Sequence, residues 1–258
     1  MPSISAAARA IYETITIRFS ISRNRRKQRA LDPRTAPRVG FSIIPYVPDE
    51  PIDFGSSNLT QIADHFRTDK GSSHHLYTPI YERYIEPWRS RSKLTILEIG
   101  VATGSSLRMW SAYFPQARVI GLDVNEQCRE VCRDNTQIDV RIADATNTPQ
   151  LEQFDLIIDD GTHLAGHIAQ TYRTHWPSLK PGGFYIIEDL ACTHDRPYSI
   201  AALALYRVSI FNSGMALRSN LSKLIDSELR ALDSGTSEWE FCHFYRELCI
   251  IKKKTGSP

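Results

Sequence analysis

Residues 155–163 read Asp-Leu-Ile-Ile-Asp-Asp-Gly-Thr-His, and residues 184–190 read Phe-Tyr-Ile-Ile-Glu-Asp-Leu. In each, a short apolar run breaks abruptly into acids. Such runs read as buried parallel strands, and the acids that end them mark the rim of a sheet. Ligands of open α/β sheets bind at that rim, outside the carboxyl ends of the strands. Asp159, Asp160, Glu188 and Asp189, with His163 beside them, are therefore expected along one edge. Carboxylates crowded together repel one another unless something cationic sits among them. A hard divalent cation is the simplest candidate, because an oxygen-rich set suits magnesium, manganese or calcium. The competing reading is strand-end turns and helix caps; two acidic pairs plus a histidine weigh against it.

A second chemical element is Leu97-Glu98-Ile99-Gly100-Val101-Ala102-Thr103-Gly104-Ser105-Ser106. Gly100 and Gly104 let the backbone turn sharply and approach a ligand closely. The helix that starts near Ser105 points its N-terminus at the same place. Asp123 ends the next strand, where an acid can accept two hydrogen bonds from a ribose diol. Asp144 ends the third strand and is placed to meet an adenine edge. Glu98, at the first strand end, suits a ligand carrying an amine or sulfonium. The turn lacks the G-x-G-x-x-G spacing of dinucleotide sites and has no phosphate-cradling lysine, which argues against both a dinucleotide and a P-loop.

These residues need elements to carry them. Ser57 to Trp88 reads as helical, interrupted near Gly71 and Pro79. Strands are expected at Leu94–Glu98, Val119–Asp123, Asp139–Ala143, Phe154–Asp159 and Phe184–Glu188, the last entered by a sharp Pro181-Gly182-Gly183 turn. Helices are expected at about Ser105–Tyr113, Glu126–Asp134 and Leu164–Trp176. This alternation predicts an α/β fold, a doubly wound parallel sheet with helices on both faces. Glu238–Tyr245 and Leu248–Lys253 are strand-like and too closely spaced for a crossover, so they form an antiparallel hairpin. The stretch from Tyr198 to Leu232 reads as mainly helical and could cover the rim as a lid.

The chain has 258 residues, 41% hydrophobic and 23% charged, with a formal net charge of +2. Such a balance fits a soluble globular domain without a strong field toward nucleic acid. Cys128, Cys132, Cys192, Cys242 and Cys249 are odd in number and match no zinc spacing, which fits reduced thiols in the cytoplasm. No apolar run has spanning length, and no signal peptide is visible. Residues 1–55 read as a basic arm and Pro-rich linker, with Arg23, Arg25, Arg26, Lys27 and Arg29 clustered and a short helix over Ala6–Phe19. The arm is a solvated tail or a peripheral contact for an anionic membrane surface. Residues 56–258 read as the domain itself.

The segments Leu-Glu-Ile-Gly-Val-Ala-Thr-Gly, Ile-Gly-Leu-Asp, Phe-Asp-Leu-Ile-Ile-Asp-Asp-Gly and Leu-Lys-Pro-Gly-Gly resemble the class I S-adenosylmethionine-dependent methyltransferases, over roughly residues 60–254. The resemblance implies a Rossmann-like seven-stranded sheet with a C-terminal antiparallel hairpin. Ala102 replaces the middle glycine of the usual loop, from which no positive φ is expected there. Within that superfamily, Thr68-Asp69-Lys70-Gly71 with His75, Tyr77 and Tyr81, the Asp-Asp-Gly-Thr-His at 159–163 and the Ile-Glu-Asp-Leu at 187–190 resemble metal-dependent sugar O-methyltransferases of the macrolide deoxysugar type.

That resemblance implies S-adenosylmethionine and Mg2+ as cofactors. It implies Asp160, Glu188 and Asp189 as metal ligands, His163 as general base and Asp159 as a neighbouring acid on the cofactor side. A base of this kind is needed because a sugar hydroxyl is a poor nucleophile until deprotonated; histidine, with a pKa near 6.5, accepts that proton at neutral pH. His75, Tyr77, Tyr81 and His194 are candidate substrate contacts, although Tyr77, Tyr81, Tyr84 and Trp88 lie at helical spacing that also suits packing. His167 is read as packing or support beside the site, and His175 as a core residue. The acceptor would be a sugar-bearing small molecule or glycolipid. Two alternatives stay open: a phenol or catechol O-methyltransferase, and a glycan-assembly binding module that retains the fold. Whether the chain is a homo-oligomer is open too.

Overall fold

The computed structural model of the protein describes residues 52–193 and 218–256. The N-terminal arm, where a helix over Ala6–Phe19 is expected, and residues 194–217, His194 among them, lie outside the described residues. Seven strands form one sheet: β1 (Thr95–Ile99), β2 (Arg118–Asp123), β3 (Ile138–Ile142), β4 (Phe154–Asp159), β5 (Leu179–Ile187), β6 (Trp239–Phe244) and β7 (Cys249–Lys253). Their order is β3-β2-β1-β4-β5-β7-β6. The first five pair in parallel, while β7 pairs antiparallel with both β5 and β6. This is the doubly wound sheet that the alternation of elements predicts, with the antiparallel end expected from the close spacing of the last two strands and the Rossmann-like form that the resemblance implies.

Side-chain alternation along the strands divides the sheet into two faces. Leu97, Ile99, Ile120, Leu122, Ile157, Tyr185 and Ile187 share a buried cluster with Ile168, Ala169 and Tyr172 of α4 (Ala165–His175) and with Leu221 and Leu224 of α5 (Arg218–Asp233). Glu98 lies on the opposite face, where it meets Trp110 of α3 (Ser105–Tyr113). The described part of the Tyr198–Leu232 stretch thus packs on a sheet face beside α4. It does not lie over the rim as a lid.

The long helical stretch expected at residues 57–88 is two helices, α1 (Leu59–His65) and α2 (Thr78–Ile85). Asn58 caps α1 reciprocally: its side chain accepts from the Gln61 N–H, and the Gln61 side chain accepts from the Asn58 N–H. Pro79 stands in the first turn of α2, where its missing N–H costs nothing. Between them, Gly71 passes Asp64 so closely that a β-carbon would lie 2.2 Å from Asp64 Oδ1. Two further expectations are corrected. Residues 126–134 hold only a 3-10 turn, Glu126–Glu130, and Pro181-Gly182-Gly183 lies inside β5, next to a shift in its register with β4. No helix among the described residues is long and apolar enough to cross a membrane.

Candidate active site

Register sets the rim. Ile99 of β1 lies level with Leu122 of β2 and Asp159 of β4, and Asp159 lies level with Ile187 of β5. The ladder runs on for one residue: Asp160 N donates to Ile99 O at 2.9 Å, and Glu188 N donates to Asp159 O at 3.0 Å. Gly100, Asp123, Asp160 and Glu188 therefore leave the sheet at one level.

On the β1–β2 side the loop after β1 is wound tightly. Gly100, Ala102 and Gly104 have φ of 95°, 46° and 77°. The positive φ at Ala102 corrects the expectation drawn from its side chain. Neighbouring geometry imposes it: Val101 N and Ala102 N both aim at Asp123 Oδ2, at 2.8 and 3.4 Å. Asp123 Oδ1 accepts from Asn125 N at 2.8 Å. A β-carbon on Gly100 would lie 2.1 Å from the carbonyl oxygen of Asp160, so glycine lets β1 and β4 converge here. Gly104 is needed for the Val131–Cys132 segment, whose side chains would lie 2.2 and 2.6 Å from a β-carbon there. Ser105 opens α3, its hydroxyl 3.1 Å from that of Thr103. Asp144 is exposed and accepts from Thr146 N and Oγ1.

On the β4–β5 side the cation among the acids is a side chain. Lys70, wholly buried, donates to Asp160 Oδ2 at 2.5 Å and to Glu188 Oε2 at 2.8 Å. Its Nζ stands 3.6 Å from Glu98 Oε1, a buried oxygen with no hydrogen-bond partner. Burial opposes the lysine's charge, but Asp160, Glu188 and Glu98 outweigh it and hold Lys70 well above the ordinary lysine range. The α1–α2 loop delivers this residue, and its carbonyl accepts from Tyr77 N and Thr78 N at the start of α2. The other Glu188 oxygen accepts from the Tyr81 hydroxyl. Glu98 is completely buried and accepts from the Trp110 indole at 2.9 Å; burial pushes its pKa up to about 7.

Outward from this buried layer, Asp160, His163 and Asp189 bring three donor atoms within 4.8 Å of one another. His163 Nε2 is 3.9 Å from Asp160 Oδ1 and 3.6 Å from Asp189 Oδ2. Tyr77 donates to Asp189 Oδ1 at 2.7 Å. His75, stacked on Tyr77, is 3.8 Å from the same oxygen and 3.4 Å from Glu247 Oε2 of the β6–β7 turn. His163, Asp189 and Glu247 have φ of 55°, 55° and 67°. Three site residues held in a sparsely populated region mean that surrounding structure fixes them there.

The expected residues thus separate. Asp160, Asp189 and His163 converge, with His75 beside them. Glu188 stands outside that group, both oxygens engaged by Lys70 and Tyr81. Glu98 turns inward to Trp110, so its expected contact with cofactor is corrected. The same holds for Asp159, which is 4% exposed, accepts from Gly161 N at 3.4 Å, and lies 3.5 Å from the Tyr185 hydroxyl. Tyr77 and Tyr81, 2% and 0% exposed, orient carboxylates and present no face to a substrate. His167 meets the Thr162 hydroxyl, and His175 the Ala145 carbonyl, each with its pKa lowered by burial. Lys70 and Glu247 were missed as site residues. The signal for Lys70 was charge balance: crowded acids need a cation, and a lysine side chain supplies one as well as a metal does.

Residues 96–183 match a family model described as a methyltransferase domain. A relative from Streptomyces olivaceus, "8-demethyl-8-(2-methoxy-alpha-L-rhamnosyl)-tetracenomycin-C 3'-O-methyltransferase", is 31% identical over 221 residues, 78% of this chain and 55% of that one. The "Mycinamicin VI 2''-O-methyltransferase" of Micromonospora griseorubida is 31% identical over 147 residues, 52% of this chain and 36% of that one. The chain thus spans about half of the first relative's length and about a third of the second's. A solved structure of the MycE methyltransferase of the mycinamycin pathway, "in Complex with Mg, SAH, and Mycinamycin VI", aligns with TM-score 0.62 at 24% identity, covering 78% of this chain and 57% of that one. At that identity the likeness establishes the fold.

Proposed function

We propose, from the premise that residues 96–183 are a methyltransferase domain, that this protein moves a methyl group from S-adenosylmethionine to a sugar hydroxyl, with a divalent cation, magnesium, at the rim. The observation that carries this reading is the convergence of Asp160, His163 and Asp189 beside the loop that Asp123 braces. Relatives named for O-methylation of rhamnosyl and olivosyl compounds support a sugar acceptor.

The donor set fits both groups. Two carboxylates with room for water and acceptor oxygens is how proteins usually hold magnesium. Asp160 and Asp189 would hold the ion. The Gly100–Gly104 loop, Asp123 and Asp144 would hold the nucleoside, as acids at successive strand ends do for ribose and base. When bound, the sulfonium supplies the methyl group and the cation lowers the pKa of a hydroxyl beside it. Everything else falls to this chain. His163 Nε2 takes the proton of the acceptor hydroxyl. Tyr77 fixes Asp189 by donating to Oδ1, which leaves Oδ2 toward His163. The buried layer of Lys70, Glu188, Tyr81 and Glu98 holds Asp160 from behind.

The test is transfer of labelled methyl from S-adenosylmethionine to a panel of rhamnosides, olivosides and catechols, with and without a chelator. Transfer to glycosides, abolished by chelation and restored by magnesium, is expected. Transfer to catechols alone would move the protein to the phenolic class, and turnover undiminished by exhaustive chelation would remove the metal.

A further inference from the structure

We infer that Lys70 is the resident cation of this site: a positioning residue that pairs Asp160 with Glu188, so that the acid cluster is assembled before any metal arrives. The inference rests on the reading of Asp160 and Asp189 as the metal-holding pair, and it extends the part of Lys70 from holding Asp160 to assembling the acid cluster.

Three observations carry it. Lys70 is 0% exposed, and its two short contacts reach acids that follow different strands, β4 and β5. Glu98 Oε1, buried without a hydrogen-bond partner, lies 3.6 Å from the same ammonium. The two oxygens of Asp160 are divided: Oδ2 meets Lys70, while Oδ1 lies toward His163. A lysine bound from behind therefore fixes the Asp160 rotamer and leaves one oxygen for a ligand. It also takes up the repulsion that would otherwise splay the ends of β4 and β5. Buried acids left without their cation are strongly destabilising, whereas removing both members of a buried pair is far milder. Without Lys70, a divalent ion would take over much of the positive charge that Asp160 and Glu188 need. The fold should then lean on the ion, and the ion should bind more tightly because a positive neighbour has gone.

The experiment is a thermal-shift and calorimetric titration of the full chain with magnesium chloride alone, without cofactor, on wild type, Lys70→Met, Glu188→Gln and the double variant. In chelator, Lys70→Met should lower Tm by about 10 °C, the scale of a broken buried pair. Magnesium should restore at least half of that loss, acting at roughly tenfold lower concentration than on wild type. Lys70→Met/Glu188→Gln should regain most of the lost Tm in chelator and respond to magnesium less than Lys70→Met does. A merely space-filling lysine would change neither the magnesium response nor its dependence on residue 188. Lys70→Met with wild-type Tm in chelator would overturn the inference. So would a loss of Tm that neither magnesium nor Glu188→Gln relieves. If Lys70→Met does not fold, a folded double variant supports the pairing and an unfolded one refutes it. Wild type that binds no magnesium by calorimetry would end the metal reading instead, and recovery of the double variant would still decide the role of Lys70.

Discussion

His163 stands where the backbone costs a residue with a β-carbon roughly 1–2 kcal/mol. The neighbouring structure maintains that cost at a ring nitrogen within 4 Å of two carboxylates. His163→Ala should leave cofactor affinity and folding nearly intact and lower kcat by about 10²–10⁴, the contribution of a positioned base. Stopped turnover with lost cofactor binding would make the histidine structural, and an unchanged kcat would move the base elsewhere. Asp159 offers a pH-dependent counterpart. Burial raises it from an ordinary 3.8 to about 7. The folded protein then binds this proton more tightly than the unfolded chain does, so the stability it contributes is full below pH 4 and lost as pH rises through 7. Asp159→Asn cannot lose it. The Tm of the variant relative to wild type should climb between pH 4 and pH 8; a constant difference would show that Asp159 titrates ordinarily.

At the scale of elements, strands were legible because each carries an apolar run with a sharp polar end. β4 was located to the residue, and β1, β2 and β3 to within one. The Glu126–Glu130 turn was not, because Asn125 caps it like a helix start while the following segment must pack Val131 and Cys132 against Gly104. Nor was the buried layer under the rim. Lys70 and Glu188 are 118 positions apart, and no local pattern joins them. The loop after β1 gave the opposite error. Ala102 argued for an ordinary backbone, but hydrogen bonds from Val101 and Ala102 to Asp123 impose φ of 46°. Ala102→Gly should relieve that strain. After the extra freedom of glycine in the unfolded chain is subtracted, a net gain of up to about 1 kcal/mol is expected in urea unfolding. A loss of stability would show that the alanine side chain contributes packing that outweighs the strain.

For the molecule as a whole, every site residue identified among the described residues lies between Lys70 and Glu247. Deletion of residues 1–50 is therefore expected to leave turnover of a small soluble glycoside unchanged. If the basic arm docks on anionic lipid, the same deletion should abolish salt-sensitive binding to phosphatidylserine vesicles. A truncated chain that cannot turn over the soluble acceptor would place part of the catalytic domain in that segment. The order of strands has a consequence for synthesis. β5, which carries Glu188 and Asp189 at its end, is flanked by β4 and by β7, and β7 leaves the ribosome after the other six strands of this sheet. Translation at 5–20 residues per second separates β5 from its second neighbour by roughly 3–13 s. Throughout that interval a nascent β5 has one unpaired edge, the kind that recruits foreign strands. The end of β5 that carries the rim acids therefore keeps one open edge until β7 is made and pairs with it.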